Sequence, residues 1–257
     1  MKEEEMDRIL ENKIDSLKKK DKSVEDRKTY DEVFDRNTLL TLYKMITSGV
    51  FETLNYPIST GKEGNVFVAT GKNKEMFAVK IYRVSTSTYK NLTKYIAGDP
   101  RFRNIPRDHR GVIYLWAQKE YKNLKRIFSA KIASPCPKRQ IKNVLVMSYI
   151  GSEEQPAPML KDVTLSNPKK SYKIILKMMR DLYQKAGLIH GDLSEYNILV
   201  QNGKCYFIDV GQSVVLEHPL AQELLERDVA NISRYFKKLG VKSKEIDMLN
   251  YIRGEEK

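Results

Sequence analysis

The run HGDLSEYNILV at residues 190–200, followed by YFIDVGQS at 206–213, constrains this chain more than any other feature. Asp192 and Asn197 are five residues apart, and Asp209 follows twelve residues after Asn197. Enzymes that transfer a phosphoryl group from ATP carry a catalytic aspartate and two metal ligands at this spacing. Either aspartate alone would also suit a helix cap or a turn, so the interpretation rests on the three residues together.

The chain between Asn197 and Asp209 predicts a tight β-hairpin. Two short apolar runs flank the dipeptide Asn202-Gly203, which favours the two-residue turn of a hairpin. Because a hairpin brings its two ends side by side, we expect Asn197 and Asp209 to meet. Their oxygen atoms would bind Mg²⁺, or Mn²⁺ in its place, while Asp192 accepts the proton of the attacking hydroxyl group or orients it.

A second candidate site lies in the strand-rich block that begins near residue 55. Gly61 and Gly64 lack a Cβ atom, so backbone N–H groups between them can approach phosphate oxygens, although a plain hairpin turn would look the same. Lys80 lies fourteen residues after Val66, in the predicted strand MFAVKIY, and its apolar neighbours favour a buried lysine over a solvated one. The residues of this loop that we take as nucleotide contacts are Ser59, Gly61, Lys62, Glu63, Gly64 and Val66.

A buried lysine needs a counter-charge, and Glu120 is the candidate. It is the only acidic residue between Asp108 and Glu153, and it falls on the apolar stripe of a helix predicted for residues 112–129. The alternative is a surface glutamate without a structural role. We predict that Glu120 pairs with Lys80 and directs its ammonium group towards the α and β phosphates of ATP.

The composition favours acidic partners and a reduced compartment. Lys and Arg number 46 against 33 Asp and Glu, a net charge of +13, which suits RNA or another anionic partner, although a basic surface without a specific partner is the alternative. The two cysteines suggest neither a metal cluster nor a disulfide framework. The charged start MKEEEMDRIL does not resemble a signal peptide, and no apolar run would span a bilayer. We therefore expect a cytoplasmic protein without a membrane partner.

The hydrophobic periodicity divides the chain into three parts. An N-terminal helical extension is expected over residues 1–54, and its first 30 residues read as a charged, solvated helix. Residues 55–150 form a β-rich lobe with one helix and a flexible polar insertion at 84–111. Residues 151–257 form a helical lobe that carries the catalytic and metal-binding loops. Helices are predicted in this last part at 170–187 and within 219–252.

Taken together, the motifs STGKEGNV, FAVK, HGDLSEYNIL and IDVGQSV resemble those of the RIO family of atypical serine/threonine protein kinases. The resemblance covers roughly residues 50–250 and is to the branch without a winged helix, in a minimal form like that of archaeal members. It implies an α+β, bilobal protein-kinase-like fold with a trimmed C-terminal lobe. It implies that ATP meets backbone groups of Ser148 and Ile150 beside Met147. It also implies phosphate transfer to Asp209 and a role in small ribosomal subunit maturation, with a subunit precursor or rRNA as partner.

The motifs depart from those of ordinary protein kinases in ways that affect regulation. Ser59 replaces the first glycine of the phosphate loop, Gly191 replaces the arginine of His-Arg-Asp, and Val210 replaces the phenylalanine after the metal-binding aspartate. No Ala-Pro-Glu motif follows, so the usual activation segment and peptide-docking helices are missing. We therefore expect activity without activating phosphorylation, and self-phosphorylation within residues 85–109.

Two other functions fit parts of the pattern. Small-molecule kinases share His-Gly-Asp-x-x-x-x-Asn, but they generally lack this phosphate loop and use an acidic pocket for cationic substrates. The second is an ATP-gated factor that binds pre-ribosomal RNA and rarely phosphorylates a protein. Such a factor would not need the peptide-docking elements that are missing here. The sequence names no protein substrate.

Overall fold

The residues that the computed structural model describes are 34–84, 89–153 and 155–255. They divide into two units, and the first consists of the described residues up to Tyr89 together with Asp108–Gln118 and Lys138–Tyr149. The second consists of Lys90–Arg107, Lys119–Pro137 and the described residues from Ile150 onwards. The charged helix expected over the first 30 residues lies outside the described residues.

The first unit is built on a five-stranded sheet with the strand order β1-β2-β3-β5-β4. Its elements are α1 (Arg36–Thr47), β1 (Thr53–Thr60), β2 (Gly64–Thr70), β3 (Met76–Tyr82), β4 (Pro137–Ile141) and β5 (Val144–Ser148). Neighbouring strands from β1 to β3, and β3 with β5, pair antiparallel. The long central strand β3, rich in apolar and β-branched residues, therefore has a partner on both edges.

One face of this sheet and helix α1 enclose the core of the first unit. Asp35 starts the helix, since its side chain accepts a 2.8 Å hydrogen bond from the Thr38 N–H, and the helix ends at Ser48. Its apolar side packs on alternate residues of the strands, as a period of two requires. The buried residues of this core are Leu42, Met45, Phe51, Leu54, Phe67, Ala69, Phe77, Val79, Ile81, Val144 and Val146. The described part of the predicted extension therefore belongs to the core.

The remaining elements run from the middle of the chain to its end. They are α2 (Tyr89–Ile96), α3 (His109–Ser129), α4 (Pro168–Gln184), β6 (Leu188–Ile189), β7 (Ile198–Gln201), β8 (Lys204–Phe207), β9 (Val214–Val215), α5 (Ala221–Lys238) and α6 (Glu245–Arg253). Asn167 caps α4 with Pro168 in its first turn, and α4 packs against α6. No helix in the described ranges is both long and apolar enough to cross a membrane.

Helix α2 lies within the segment that the sequence predicted as a flexible insertion. Leu92, Tyr95 and Ile96 are all buried, and their three- and four-residue spacing puts them on one side of the helix. Asp99 follows and is buried in an ion pair with Arg101 at 2.7 Å. Polar residues separate these apolar positions in the sequence, so the sequence did not predict the helix. In the structure the apolar side chains are buried on one side of it.

Candidate active site

Three of the predicted nucleotide residues, Val66, Lys80 and Met147, share the face of the sheet opposite its core. Val66 lies directly across from Lys80 in the β2–β3 ladder, and Ala78 lies across from Met147 in the β3–β5 ladder. Residues 66, 80 and 147 therefore point to one side. Lys80 is buried, and its Nζ atom lies 5.1 Å from the centre of the Tyr82 ring. The predicted burial of this lysine is thus what the structure shows.

The predicted phosphate loop is the turn between β1 and β2. The Gly61 N–H donates to the Gly64 carbonyl at 3.0 Å, and Ser59 pairs with Val66 across the two strands. A Cβ atom on Gly64 would lie 2.5 Å from the Ile81 carbonyl oxygen, which is far closer than van der Waals contact. Glycine at this position therefore follows from the close approach of β3. The loop residues Ser59, Thr60, Gly61 and Lys62 are exposed.

The predicted catalytic loop of the second unit, residues 190–197, is held by a carboxylate that the sequence did not single out. Asp228, buried in α5, accepts hydrogen bonds of 2.8 Å from the backbone N–H groups of both Gly191 and Leu193. Asn231, one turn further along α5, donates to the Leu193 carbonyl at 3.1 Å. Burial raises the pKa of Asp228 to about 7, while the two N–H donors act in the opposite direction. Asp228 thereby fixes the backbone on both sides of Asp192.

The side chain of Asp192 lies among polar groups in the second unit. Its carboxylate accepts hydrogen bonds of 3.3 Å from Asn197 and from Gln212, and Asn197 also donates to the Asp192 carbonyl at 2.7 Å. Burial raises the pKa of Asp192, and the negative charge of Asp209 raises it further, whereas Arg227 and the Asn197 bond lower it. Asp192 and Asp209 are therefore close enough for their charges to interact.

The hairpin expected between Asn197 and Asp209 is present as β7 and β8. Asn202 and Gly203 both have positive φ angles, 51° and 73°, as the predicted two-residue turn requires. At the open end of the hairpin the Ile208 N–H donates to the Asn197 carbonyl at 3.1 Å. The hairpin thus brings Asn197 and Asp209 together, and their roles as metal ligands stay predictions.

Asp209 itself has a left-handed backbone, with φ 56° and ψ 58°. A short 3₁₀ turn over Val210–Gln212 follows it. For a residue with a Cβ atom this conformation is unfavourable by about 1–2 kcal/mol, so neighbouring contacts have to maintain it.

Two residues of α3 contact the segment after Asp209, and sequence reasoning missed both. Lys119 donates to the carbonyl of Gly211 at 2.8 Å and also to that of Ser213. Asn123 donates to the carbonyls of Val210 at 2.8 Å and Ser213 at 3.0 Å. A lysine and an asparagine four residues apart on an otherwise apolar helix face were the only signal, and the sequence did not show what they faced.

His190 connects the catalytic loop to the hairpin as a neutral ring. Its Nε2–H group donates to the Ile208 carbonyl at 3.1 Å, and the Ser213 hydroxyl donates to the His190 carbonyl at 2.9 Å. Burial lowers the pKa of this imidazole to about 4, although the charge of Asp209 opposes the shift. At neutral pH the ring is therefore uncharged and serves a structural purpose.

The other predicted site residues belong to different units. Glu120 is buried in the second unit, so both members of the predicted pair with Lys80 are buried, and the pair itself stays a prediction. Ser148 pairs with Phe77 at the end of β5. The Ile150 carbonyl accepts the Ala157 N–H at 3.0 Å. Adenine contacts at residues 148 and 150 also stay a prediction.

The described residues have a protein-kinase-like fold. The structure matches the Rio2 kinase of Chaetomium thermophilum with a TM-score of 0.65 at 23% identity, covering 82% of this chain and 65% of that one. The solved Rio2 structure is described as a complex with ADP, Mg²⁺ and phosphoaspartate. The predicted fold class is therefore confirmed.

The chain belongs to the RIO family of serine/threonine-protein kinases. The sequence profile of the RIO domain matches residues 65–249. The RIO-type serine/threonine-protein kinase Rio1 of Haloferax volcanii is 38% identical over 99% of this chain and 88% of its own length. The Rio1 kinase of Methanocaldococcus jannaschii is 43% identical over 98% of this chain and 86% of its own length. The human kinase RIO1 is 43% identical over 88% of this chain. The matched region covers 40% of that longer protein. The predicted family and class of enzyme are confirmed.

Proposed function

We propose that this chain transfers the γ-phosphoryl group of ATP in a Mg²⁺-dependent reaction, either to serine and threonine hydroxyls or to water. The observation that carries the proposal is the grouping of Asp192, Asn197 and Asp209 in the second unit. Asn197 bonds to Asp192 through its side chain and to the strand end beside Asp209 through its carbonyl. A proton acceptor and two oxygen ligands beside it are the parts that phosphoryl transfer requires.

The donor set of this site suits magnesium. Asn197 uses its amide nitrogen for the bond to Asp192, so its side-chain oxygen is the atom suited to a cation. Asp209 supplies a carboxylate, and its negative charge adds to the effect of burial in raising the pKa of Asp192. Mg²⁺ prefers such oxygen ligands and takes the rest from phosphates and water. When bound at Asn197 and Asp209, it would neutralise charge on the phosphate oxygens.

Asp192 would accept the proton of the attacking hydroxyl group or water. Its raised pKa makes it a stronger base than an exposed aspartate, and the bonds from Asn197 and Gln212 fix its orientation. Backbone anchoring by Asp228 keeps this carboxylate in place without an activation segment. This anchoring supports our expectation that no activating phosphorylation is needed.

Most of the residues that would bind the nucleotide lie in the first unit. Lys80 and Val66 lie opposite each other on one face, and the turn from Ser59 to Gly64 begins beside them. We propose that Lys80, oriented by Glu120, contacts the α and β phosphates, that the turn covers the phosphates, and that adenine reaches Met147, Ser148 and Ile150. The ADP complex of the similar Rio2 kinase supports nucleotide binding by this fold.

We further propose that Asp209 receives the phosphoryl group when no hydroxyl acceptor is bound. A carboxylate oxygen of Asp209 attacks the γ-phosphorus, the bond to the β–γ bridging oxygen breaks, and ADP leaves with the electron pair. Water then attacks the acyl phosphate and gives its proton to Asp192, which restores the Asp209 carboxylate and releases phosphate. The phosphoaspartate in the Rio2 complex supports this step. The alternative is that Asp209 is a metal ligand only.

Hydroxylamine distinguishes these two roles, because it cleaves acyl phosphates and leaves phosphoserine intact. The chain is incubated with γ-labelled ATP and Mg²⁺, quenched in acid and divided between hydroxylamine and a salt control. We expect label that hydroxylamine removes and that Asp209→Asn abolishes. Label that resists hydroxylamine throughout would leave Asp209 as a metal ligand.

We propose a small ribosomal subunit precursor or its rRNA as the partner, with hydrolysis coupled to release and the cytoplasm as the place of action. The net charge of +13 and the membership of the RIO family support this proposal. Binding through phosphate contacts releases counterions, so affinity for purified small subunits should fall steeply as salt rises. Binding that is undetectable at low salt, or independent of salt, would refute it.

A further inference from the structure

Buried side chains hold the segment after Asp209 in addition to its short 3₁₀ turn. Three of the four carbonyls over residues 210–213 accept hydrogen bonds from Lys119 and Asn123, which lie one turn apart on the same face of α3. Both side chains are fully buried. Side-chain donors from one helix therefore determine where these carbonyls point.

This arrangement bears directly on the backbone of Asp209. The left-handed conformation of a residue with a Cβ atom persists only where the surrounding structure holds it. Upstream, the bond from the Ile208 N–H to Asn197 fixes the chain; downstream, α3 fixes it from Val210 onwards. Asp209 joins two fixed points, so its conformation and the place of its carboxylate depend on both.

The chemical nature of the two donors is unfavourable for stability alone. Lys119 is an ammonium group removed from water, and burial lowers its pKa to about 7, with Arg101 contributing and Asp99 opposing. The Oδ1 atom of Asn123 is buried and has no hydrogen-bond partner in the described part of the chain. An apolar pair of similar size would avoid both penalties, which indicates that the donors serve the loop.

We propose that Lys119 and Asn123 are positioning residues that set the conformation of the 209–213 segment and thereby place the Asp209 carboxylate for catalysis. This inference rests on the proposed function of Asp209. The two residues touch no reacting atom; they act through the carbonyls of Val210, Gly211 and Ser213.

The test compares Lys119→Met with Lys125→Met in the full chain. Methionine keeps the length of the lysine side chain and removes its donors, and Lys125 is exposed on the same helix. Amide hydrogen exchange of the nucleotide-free protein is measured by mass spectrometry on a peptide spanning residues 206–216. Loss of a charged donor should speed exchange of this peptide about tenfold or more, with the α5 peptide unchanged. The Lys125 variant should match the unchanged chain.

Activity per folded molecule provides the second measurement. We expect Lys119→Met to lower kcat for ATP hydrolysis about tenfold while the KM for ATP stays within about twofold, because Asp209 is misplaced and the nucleotide contacts are not. Asn123→Ala, which leaves Lys119 in place, should show the same pattern more weakly and serves if the lysine variant does not fold. Folded variants with unchanged exchange and unchanged kcat would overturn the proposal.

Failure of the proposed function would look different. If Asp209→Asn retained full activity, the catalytic role of Asp209 would be wrong, while hydrogen exchange of the 206–216 peptide would still decide whether α3 sets the conformation of the loop.

Discussion

The phosphate loop of the first unit and the catalytic loop of the second unit are held in opposite ways. Backbone hydrogen bonds close the exposed phosphate loop, from the Gly61 N–H to the Gly64 carbonyl and from the Arg83 N–H to the Glu63 carbonyl. In the catalytic loop, Asp228 bonds the backbone on both sides of Asp192 from a buried position. Backbone bonds near the surface hold the first loop, whereas a buried side chain holds the second, and exposed segments with few buried contacts open more readily than buried ones.

The difference suggests separate roles for the two loops, one in the chemical step and the other in nucleotide entry and release. Groups that stabilise a transition state act best when they are already in place, because no reorganisation is then needed at the moment of reaction. A loop that covers a nucleotide has to let it enter and leave, so weak local contacts suit it. Four predictions test this division, beginning with the largest expected effect.

Asp192→Asn should lower kcat for ATP hydrolysis by about 10²–10⁴, because asparagine has nearly the shape of aspartate but cannot accept the proton. Initial rates of phosphate release measure the effect, and Asp162→Asn, at an exposed carboxylate of the same unit, should leave the rate unchanged. If the Asp192 variant kept a rate near that of the unchanged chain, the second unit would not carry the chemistry and the comparison would fail.

Lys80→Met should lower kcat/KM for ATP by roughly 10²–10³, the range for loss of one charged group that stabilises the transition state. Lys72→Met, in an exposed turn of the same unit, is the matched control. Equal rates for the two variants would show that the face shared by Lys80 and Val66 does not meet the phosphates.

Gly64→Ala should destabilise the chain by about 1–3 kcal/mol, since its Cβ atom would collide with the Ile81 backbone. Gly61→Ala should cost less than about 0.5 kcal/mol, because its Cβ atom would lie 3.3 Å from the Gly64 carbonyl in an exposed turn that can shift. Urea unfolding of both variants gives the two values. A large loss for Gly61→Ala would show that the phosphate loop is as constrained as the catalytic loop.

Arg227→Gln should shift the acidic limb of the kcat–pH profile to higher pH. Arg227 lowers the pKa of Asp192, so its removal raises that pKa further. A base with a higher pKa stays protonated, and therefore inactive, up to a higher pH. Arg234→Gln, exposed on the same helix, should leave the profile in place. A limb that moves towards acid would contradict the role of Asp192 as the base.

Local signals in the sequence predicted the parts of the site that depend on neighbouring residues. The turn at Asn202-Gly203 has the positive φ angles that this dipeptide favours, and the apolar neighbours of Lys80 predicted its burial. Helix α4 was predicted from its apolar stripe, although it ends at Gln184 rather than at Gly187. Each of these features is determined within a few residues of the chain.

Contacts between distant segments could not be predicted. Asp228 bonds to a backbone N–H 37 residues away, and Lys119 to a carbonyl 92 residues away. Neither residue interrupts its helical pattern in a way that identifies the backbone group it meets. Helix α2 was not predicted for a related reason. It has few apolar residues, and only their burial against other segments in the structure distinguishes them.

Gly191 has a consequence for how this enzyme can evolve. Its φ angle is 80°, and a Cβ atom there would lie 2.8 Å from the Gln212 carbonyl oxygen. Kinases that are switched on by a phosphorylated activation loop use an arginine at this place in the motif. An arginine at residue 191 would be strained, because its Cβ atom would press on the Gln212 backbone and its φ angle is one that residues with a Cβ atom rarely adopt. Control by a phosphorylated activation loop that acts through an arginine at residue 191 would therefore require the Gln212 backbone to move as well.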